Sequence, residues 1–391
     1  MKRILVYLNE CELQPKGGAL GYNYHLKKQL DFIGIKHIHY LYRSAKFKKG
    51  ANNRIKSIRS GLIKSILLIM KSVYKKSSIL YGFNHKAEVD LNQYDTIHFH
   101  AAYDMYAVRD SLKKYNGSVV LTSHTPTRPS NEIYDNLTTW EKRHMNWFYK
   151  KLIKVDEYAF KRANYIIFPC PEAEEPYYNT WPEYSAIKDS KKDKYRYLLT
   201  GTEARVAKRD RQSVRKEYGI PEDAFVVSYV GRHNSIKGYD LLKLLGEEYL
   251  NKNKHTYFLI AGIEEPMKGL KHERWIEVGW TNDPHSLIAA SDVFVLPNRE
   301  TYFDLVLLEV LSLGKIILAS NTGGNKYFER INAKGVLLFN DIDDAKKKLD
   351  YVKSLSEDEK AFLEKANEEL FFNTFSLSVF AKNYVKLINS I

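Results

Sequence analysis

The sequence predicts an α/β protein built from two doubly wound parallel sheets. Three observations favour this fold class. Short β-branched or apolar runs alternate with longer helical patterns along the chain, which is typical of βαβ units. At 391 residues the chain is too long for one ordinary core and suits two domains of usual size. A polar stretch without sustained periodicity separates two groups of strand patterns.

The apolar runs predict five strands in the first half of the chain and six in the second. The first five are 3–8, 36–42, 96–100, 118–122 and 165–169. The other six are 225–230, 257–261, 275–278, 293–296, 315–319 and 336–339. Because parallel sheets of this kind bind ligands beyond the carboxyl ends of their strands, the residues that follow each run are the candidate site residues.

The domain boundary is expected in the Lys- and Arg-rich stretch 187–219, and we place it near Leu198. The first domain is then 1–197 and the second 198–374. Residues 375–391 carry apolar side chains at helical spacing and predict one C-terminal amphipathic helix.

Composition limits the class of protein. Apolar residues make up 44% and charged residues 28% of the chain, which is typical of a globular protein. Cys11 and Cys170 lie far apart and outside any metal-binding spacing, so we expect a reducing, cytoplasmic setting. The apolar stretch 62–70 is interrupted by Lys64 and falls short of the ~20 residues that a membrane span needs.

The net charge of +14 is concentrated in one segment, because residues 43–76 hold 11 Lys or Arg and no acidic residue. Within the predicted helix 53–76, six apolar residues recur at spacings of three and four and form one stripe: Ile55, Ile58, Leu62, Ile66, Ile69 and Val73. One interpretation is that this helix makes peripheral contact with the anionic inner face of the cell membrane. The alternative is a helix that packs this stripe on the sheet. Nucleic acid is not expected as a partner, because no recognisable binding module accompanies the charge.

The clearest chemical signal follows the run 225–230. There Gly231 allows a tight turn, Arg232 can donate a forked pair of hydrogen bonds to phosphate oxygens, and Lys237 adds a positive charge beside the start of a helix. This pattern predicts a diphosphate site. A solvated loop with incidental basic residues is the alternative.

A second signal follows the run 293–296. Glu309 lies in an apolar helical pattern, and a carboxylate there must either reach solvent or bind a partner such as the hydroxyls of a ribose. A surface glutamate on an amphipathic helix is the alternative. The acidic group Asp341, Asp343 and Asp344 begins a helix, where helix capping explains it without a metal.

Together these motifs resemble the family 4 glycosyltransferases of the GT-B fold, over nearly the whole chain. The resemblance is carried, in order, by Gly17-Gly18, 96–100, Thr122-Ser123-His124, 199–201, Gly231-Arg232, Lys237-Gly238 and 305–324. It implies two Rossmann-like domains that face a cleft, with the C-terminal helix 375–391 packing back on the first domain.

The resemblance also implies roles for individual residues. Arg232 and Lys237 match the pair that binds the donor diphosphate, and Glu309 matches a glutamate that holds the nucleotide ribose. His124 matches a histidine that faces the donor sugar, whereas His98 and His100 are left as structural or acceptor-side residues.

Further positions of the donor site follow from the same resemblance. Gly17 and Gly18 match a loop that closes on the phosphates and the acceptor, and backbone around Gly262 and 278–280 is expected to contact the base. The remaining donor-binding positions are Thr301, Tyr302, Phe303, Asp304 and Leu305.

The segment 301–304 departs from the family pattern. Thr301 stands where the family has its first glutamate, and Tyr302 and Asp304 stand where it has glycines. A contact with the transferred sugar is therefore rebuilt or lost. Glu300 or Asp304 could supply the carboxylate, and the alternative is that both are solvated.

The function implied is a retaining, metal-independent glycosyltransferase without a cofactor. It would move a hexose or N-acetylhexosamine from a nucleotide-diphospho-sugar, with UDP favoured, to a glycan, glycolipid or glycoprotein acceptor, lipid-linked acceptors included. The setting expected is bacterial surface polysaccharide or glycoconjugate synthesis. The alternative, motivated by Thr301, is a GT-B scaffold or binding subunit without turnover.

Overall fold

The structure, a computed structural model, describes residues 2–8, 12–15, 18–42, 61–81, 87 and 89–391. Gly17, Cys11 and the first part of the predicted basic helix lie outside the described residues. The chain divides into two compact units. Unit 1 contains residues 1–168, 177–197 and 385–391, and unit 2 contains residues 169–176 and 198–384.

Each unit is organised around a parallel sheet. The strands of unit 1 are β1 Ile4–Tyr7, β2 Ile38–Leu41, β3 Thr96–Phe99, β4 Ser118–Thr122, β5 Tyr165–Phe168 and β6 Tyr195–Tyr197. Those of unit 2 are β7 Phe225–Val230, β8 Thr256–Ala261, β9 Trp275–Gly279, β10 Val293–Leu296, β11 Ile316–Ser320 and β12 Val336–Phe339. The fold class predicted from the sequence is confirmed.

Helices alternate with the strands. Those that begin in the first part of the chain are α1 Gly18–Phe32, α2 Gly61–Tyr81, α3 Ala102–Ala107, α4 Arg109–Leu112, α5 Pro129–Asp135, α6 Thr139–His144, α7 Asn146–Arg162, α8 Glu175–Thr180 and α9 Tyr184–Asp189. The others are α10 Arg211–Glu217, α11 Tyr239–Lys252, α12 Pro284–Ala289, α13 Leu305–Ser312, α14 Lys326–Arg330, α15 Ile342–Ser354, α16 Glu357–Leu370 and α17 Leu377–Ser390. No described helix is both long enough and apolar enough to cross a membrane.

In both sheets the strands are all parallel, and the order in which the chain adds them reverses once. Unit 1 has the strand order β2-β1-β3-β4-β5-β6, and unit 2 has the order β12-β11-β10-β7-β8-β9. The chain of unit 2 runs outward through β8 and β9 and then returns to the opposite side of β7 at β10. The carboxyl ends of β7 and β10 therefore lie side by side at a topological switch point, which is where such sheets bind ligands.

All predicted strands are present, within a residue or two at their ends. One strand, β6, was not predicted. It is only three residues long, pairs with β5 at the edge of the sheet, and follows a run of lysines, so no apolar run marks it.

A buried arginine ties the start of unit 2 together. Arg215 of α10 is 1% exposed and donates to the carbonyl oxygens of Glu222 at 2.7 Å, Ala224 at 2.8 Å and Ala290 at 3.1 Å. It also donates to the Asp292 carboxylate at 3.0 Å. Burial of the guanidinium is tolerated because these oxygens replace its hydration.

We predict that Arg215→Met lowers the free energy of unfolding by about 3–5 kcal/mol, because it leaves the Asp292 carboxylate short of a partner and three carbonyls without their donor. Urea-induced unfolding measures the change. Lys365→Ala is the control, since the Lys365–Glu369 pair is exposed and should contribute less than about 1 kcal/mol. Equal effects of the two substitutions would contradict this account.

Candidate active site

The loop that follows β7 carries the two predicted phosphate-binding cations in unit 2. Arg232 is exposed, and the Tyr229 hydroxyl donates to its carbonyl oxygen at 2.9 Å. The amide of Lys237 donates to the Asn234 side chain at 2.9 Å, which shapes the turn that leads into α11. The backbone of this loop is therefore held by local hydrogen bonds while the Arg232 side chain reaches solvent.

The loops after β7 and β10 touch at Gly238. This residue has a φ of +64°, and a Cβ added to it would lie 1.7 Å from the carbonyl oxygen of Pro297. Only glycine meets both conditions without displacing the backbone. The close approach brings residues 231–238 and 297–304 together at the switch point.

Asp304 pairs with one of the predicted cations. Its carboxylate accepts a hydrogen bond from the Lys237 ammonium and another from the Asn298 side chain at 2.8 Å. Burial favours the neutral form of Asp304, but the charge and hydrogen bond of Lys237, together with Asn298, outweigh it and lower the pKa of this carboxyl. The carboxylate is thus ionised and bound, and the solvated alternative is wrong for Asp304.

Glu309 of α13 is also engaged on both oxygens. Its Oε1 accepts from Arg205 Nε at 3.1 Å and Nη2 at 2.7 Å, and its Oε2 lies 3.1 Å from His285 Nε2. Burial favours the neutral form of Glu309, but His285 and Arg205 lower the pKa of the carboxyl below its usual value. Glu309 is therefore not a free surface glutamate on an amphipathic helix, because both of its carboxylate oxygens have protein partners.

The other predicted positions of this segment are mostly buried. Thr301, Tyr302 and Phe303 are at most 9% exposed, and Leu305 begins α13. Phe303 packs in an aromatic cluster with Tyr327, Phe328 and Phe375 at ring distances of 6.0–6.1 Å. Residues 301–303 therefore belong to the interior of unit 2, with their backbone included.

Two glycines reach that backbone from the loop after β11. A Cβ at Gly323 would lie 2.0 Å from the Thr301 carbonyl oxygen, and one at Gly324 would lie 2.1 Å from that of Tyr302. Glycine at both positions lets three strand-end loops converge.

Glu300 differs from Asp304 in its surroundings. Burial and the nearby charge of Glu175 both raise the pKa of its carboxyl. No cation is paired with it among the hydrogen bonds and ion pairs of the described residues, whereas Glu175 pairs with Lys326. Asp304, rather than Glu300, is the carboxylate that pairs with a cation of the loop after β7.

Gly262 directly follows β8, beside the same loops. Its amide donates to the Gly279 carbonyl at 2.9 Å, and a Cβ would lie 2.0 Å from the Gly231 carbonyl oxygen. The predicted base-contacting backbone thus adjoins the predicted phosphate loop.

In unit 1, three histidines meet at the carboxyl ends of β3 and β4. His98 Nε2 lies 2.8 Å from the Thr122 hydroxyl, and His100 Nδ1 lies 2.8 Å from His124 Nε2. Tyr22 of α1 packs on the rings of His100 and His124. His100 therefore contacts His124 directly, a link that the sequence left undecided, while Gly18 begins the helix that carries Tyr22.

Burial keeps this histidine cluster uncharged. It lowers the pKa of His98 and His124 to about 3 and the pKa of His100 well below its usual value, and the neighbouring histidines add to the shifts of His98 and His100. At neutral pH each ring is a neutral imidazole with one donor and one acceptor nitrogen. His124 is thus suited to hydrogen bonding and not to supplying positive charge.

Three residues that contact the predicted site residues of unit 2 were not predicted from the sequence. Arg205 lies in the polar boundary stretch, and His285 and Asn298 follow no motif. Each pairs with a partner between 6 and 104 positions away, so local periodicity carries no signal for them.

Comparison with known proteins finds a family similarity in unit 2. Residues 210–369 match the family model described as glycosyl transferases group 1. The match includes Arg232, Lys237 and Glu309 and the strands that position them. The similarity to this family therefore lies within unit 2.

Curated relatives are similar over part of the chain. The UDP-Gal:alpha-D-GlcNAc-diphosphoundecaprenol alpha-1,3-galactosyltransferase of Escherichia coli is 32% identical over 142 residues, which are 33% of this chain and 36% of that protein. The O-antigen biosynthesis glycosyltransferase WclY of Escherichia coli is 32% identical over 115 residues, 27% of this chain and 31% of that protein. The chain thus matches about one third of the length of these relatives.

Solved structures match over the whole length. Sucrose-phosphate synthase from Thermosynechococcus elongatus has a TM-score of 0.63 at 17% identity, covering 100% of this chain and 99% of that one. Anabaena Alr3699/HepE in complex with UDP and glucose has a TM-score of 0.58 at 14% identity, covering 100% of both chains. These likenesses show the fold, a two-domain α/β architecture of the GT-B kind.

The buried histidines predict a pH dependence of stability. In the unfolded chain a histidine binds a proton below about pH 6.5, whereas folded His98 and His124 resist protonation down to about pH 3. Between about pH 3 and pH 6.5 the unfolded state therefore binds more protons than the folded state. The stability contributed by the neutral histidines is fully present above about pH 6.5 and is lost as the pH falls. Each such histidine contributes up to about 1.4 kcal/mol per pH unit.

The test is urea-induced unfolding across this window. We expect His98→Gln, which can still hydrogen-bond Thr122 but does not titrate, to flatten the pH dependence relative to the wild-type protein. Exposed His144→Gln is the matched control in unit 1 and should leave the dependence unchanged. A wild-type slope that survives in His98→Gln would contradict a neutral buried His98.

Proposed function

We propose that the chain is a retaining glycosyltransferase that takes its sugar from a nucleotide-diphospho-sugar, with UDP as the favoured nucleotide. The observation that carries the proposal is the convergence of Arg232, Lys237 and the first turn of α13 at the switch point of a domain similar to the glycosyl transferases group 1. The galactosyltransferase relative is named for UDP-Gal, and the HepE structure holds UDP and glucose.

The proposed chemistry depends on charge that builds on the departing diphosphate. Lys237 is held by its ion pair with Asp304, Arg232 is exposed beside it on the same loop, and the N-terminus of α13 adds partial positive charge. These groups stabilise the transition state more than the bound donor, because the negative charge on the leaving group grows as the bond to the sugar breaks. No metal is assigned a role in this proposal.

The sugar itself would be a hexose or N-acetylhexosamine, and the acceptor a glycan, glycolipid or glycoprotein of bacterial surface polysaccharide synthesis. The names of the Escherichia coli relatives support this setting. Thr301 replaces the glutamate that contacts the transferred sugar in the family pattern, and Lys237 pairs with Asp304. Both features favour a contact with the donor sugar that differs from that of the family pattern.

Nucleotide release from a panel of UDP- and GDP-sugars tests the proposal. We expect release from at least one UDP-sugar, and a fall of about 100-fold or more for Arg232→Ala, because one cationic contact to the developing charge is lost. Lys365→Ala is the control, since exposed Lys365 pairs with Glu369 on α16 and lies outside the candidate site. Binding of UDP without release from any donor or acceptor would instead indicate a scaffold subunit.

We further propose that α2 contacts an anionic lipid surface. In its described part the side chains of Ile66, Ile69, Met70 and Tyr74 are between 38% and 63% exposed, on a helix with four lysines and no acidic residue. Exposed apolar side chains among lysines are typical of helices that lie in a membrane interface. The stripe predicted at Ile66 and Ile69 is thus not fully buried against the sheet.

Vesicle flotation tests this contact. We expect wild-type protein to float with vesicles that contain phosphatidylglycerol and less with pure phosphatidylcholine, and a variant carrying Ile66→Ser, Met70→Ser and Tyr74→Ser to stay at the bottom. The control variant carries Tyr351→Ser and Phe362→Ser, which remove exposed apolar side chains from unit 2. Equal loss in both variants, or no flotation of the wild type, would refute membrane contact.

A further inference from the structure

The Glu309 carboxylate is held from two sides by residues that belong to no sequence motif. Arg205, between β6 and α10, approaches Oε1 with two nitrogens at 3.1 and 2.7 Å. His285, in the first turn of α12, lies 3.1 Å from Oε2. The three side chains are 20–25% exposed, so the cluster is shielded and still reachable from solvent.

The backbone around both holders is itself anchored. The amide of Arg205 donates to the Ser312 hydroxyl at 3.0 Å, and that hydroxyl donates to the carbonyl of Glu309 at 2.7 Å. The amide of Lys208 donates to the Ser286 hydroxyl at 2.9 Å, next to His285. Residues 205–208 thus connect the start of α12 to the end of α13 and set the positions of Arg205 and His285 relative to Glu309.

The hydrogen-bonding capacity of Glu309 is almost filled. An ionised carboxylate offers about four acceptor sites. Arg205 takes both sites on Oε1 and His285 takes one on Oε2, which leaves one site, on Oε2, among the described residues. The charge of Arg205 also balances that of Glu309, so the cluster does not repel a neighbouring diphosphate.

We propose that Arg205 and His285 are positioning residues that orient Glu309 so that one Oε2 acceptor site meets one hydroxyl of the donor ribose. The inference rests on the proposed function and extends it to two residues outside the family motif. It restricts the ribose contact to a single strong hydrogen bond from a hydroxyl to a carboxylate. Without its holders the carboxylate could rotate away from the ribose.

The experiment compares two ligands by isothermal titration calorimetry. UDP carries the ribose hydroxyls, and 2′,3′-dideoxy-UDP lacks them. We expect the wild-type protein to bind UDP at least about ten-fold more tightly than the dideoxy compound, because a hydrogen bond to a charged group is lost. In Glu309→Gln, Arg205→Ala and His285→Ala this ratio should fall to within about three-fold of one, while the affinity for the dideoxy compound changes little.

Conservative variants separate orientation from packing. His285→Gln keeps an N–H donor and should restore most of the ratio, whereas Arg205→Lys keeps the charge but loses the two-nitrogen contact and should restore only part of it. Arg209→Ala is the matched control, because Arg209 pairs with Asp283 and Glu217 in the same stretch of chain. Its ratio should equal that of the wild type.

The outcomes distinguish the two levels of proposal. A ratio that is unchanged in Arg205→Ala and His285→Ala overturns the positioning role, and so does an equal loss of affinity for both ligands. If the wild-type protein binds neither UDP nor GDP or ADP, the proposed function itself fails. If it prefers another nucleoside diphosphate, the same comparison is made with the dideoxy form of that nucleotide.

Discussion

The candidate site of unit 2 depends on the contact between Gly238 and Pro297. The two loops that bear the candidate residues follow β7 and β10, which pair directly only because the chain returns across the sheet after β9. Their backbones then approach so closely that no Cβ fits at Gly238. This approach places Lys237 beside Asp304, so an ion pair forms between two residues that are 67 positions apart in the chain.

Charge in this region is organised in pairs. Lys237 is balanced by Asp304, and Glu309 is balanced by Arg205 and bonded to His285. Exposed Arg232 adds positive charge at the same strand ends. A diphosphate that binds there would therefore share Lys237 with Asp304, which ties the strength of diphosphate binding to the residue that replaces a glycine of the family pattern.

The histidine cluster of unit 1 follows a different principle. Its polar atoms are buried beside Thr122 and Tyr22 and are kept neutral by the cost of burying charge. His100 orients the ring of His124 through a hydrogen bond between the two imidazoles. Unit 1 thus offers neutral hydrogen-bonding groups at its strand ends, and unit 2 offers charged ones.

Much of this organisation was determined by the sequence itself. Buried parallel strands need continuous apolar runs, so all strands except the short edge strand β6 were readable, and the loop after β7 carried its cations in a recognisable order. Only the tertiary structure decided the partners of those residues. Arg205 contacts Glu309 although the two residues are 104 positions apart, and Asp304 pairs with Lys237 instead of being solvated. Such side chains, distant in sequence, meet only after the chain has crossed over the sheet. Local sequence patterns predict which face of a helix or strand is buried, but they do not predict which charged group of another element will contact it.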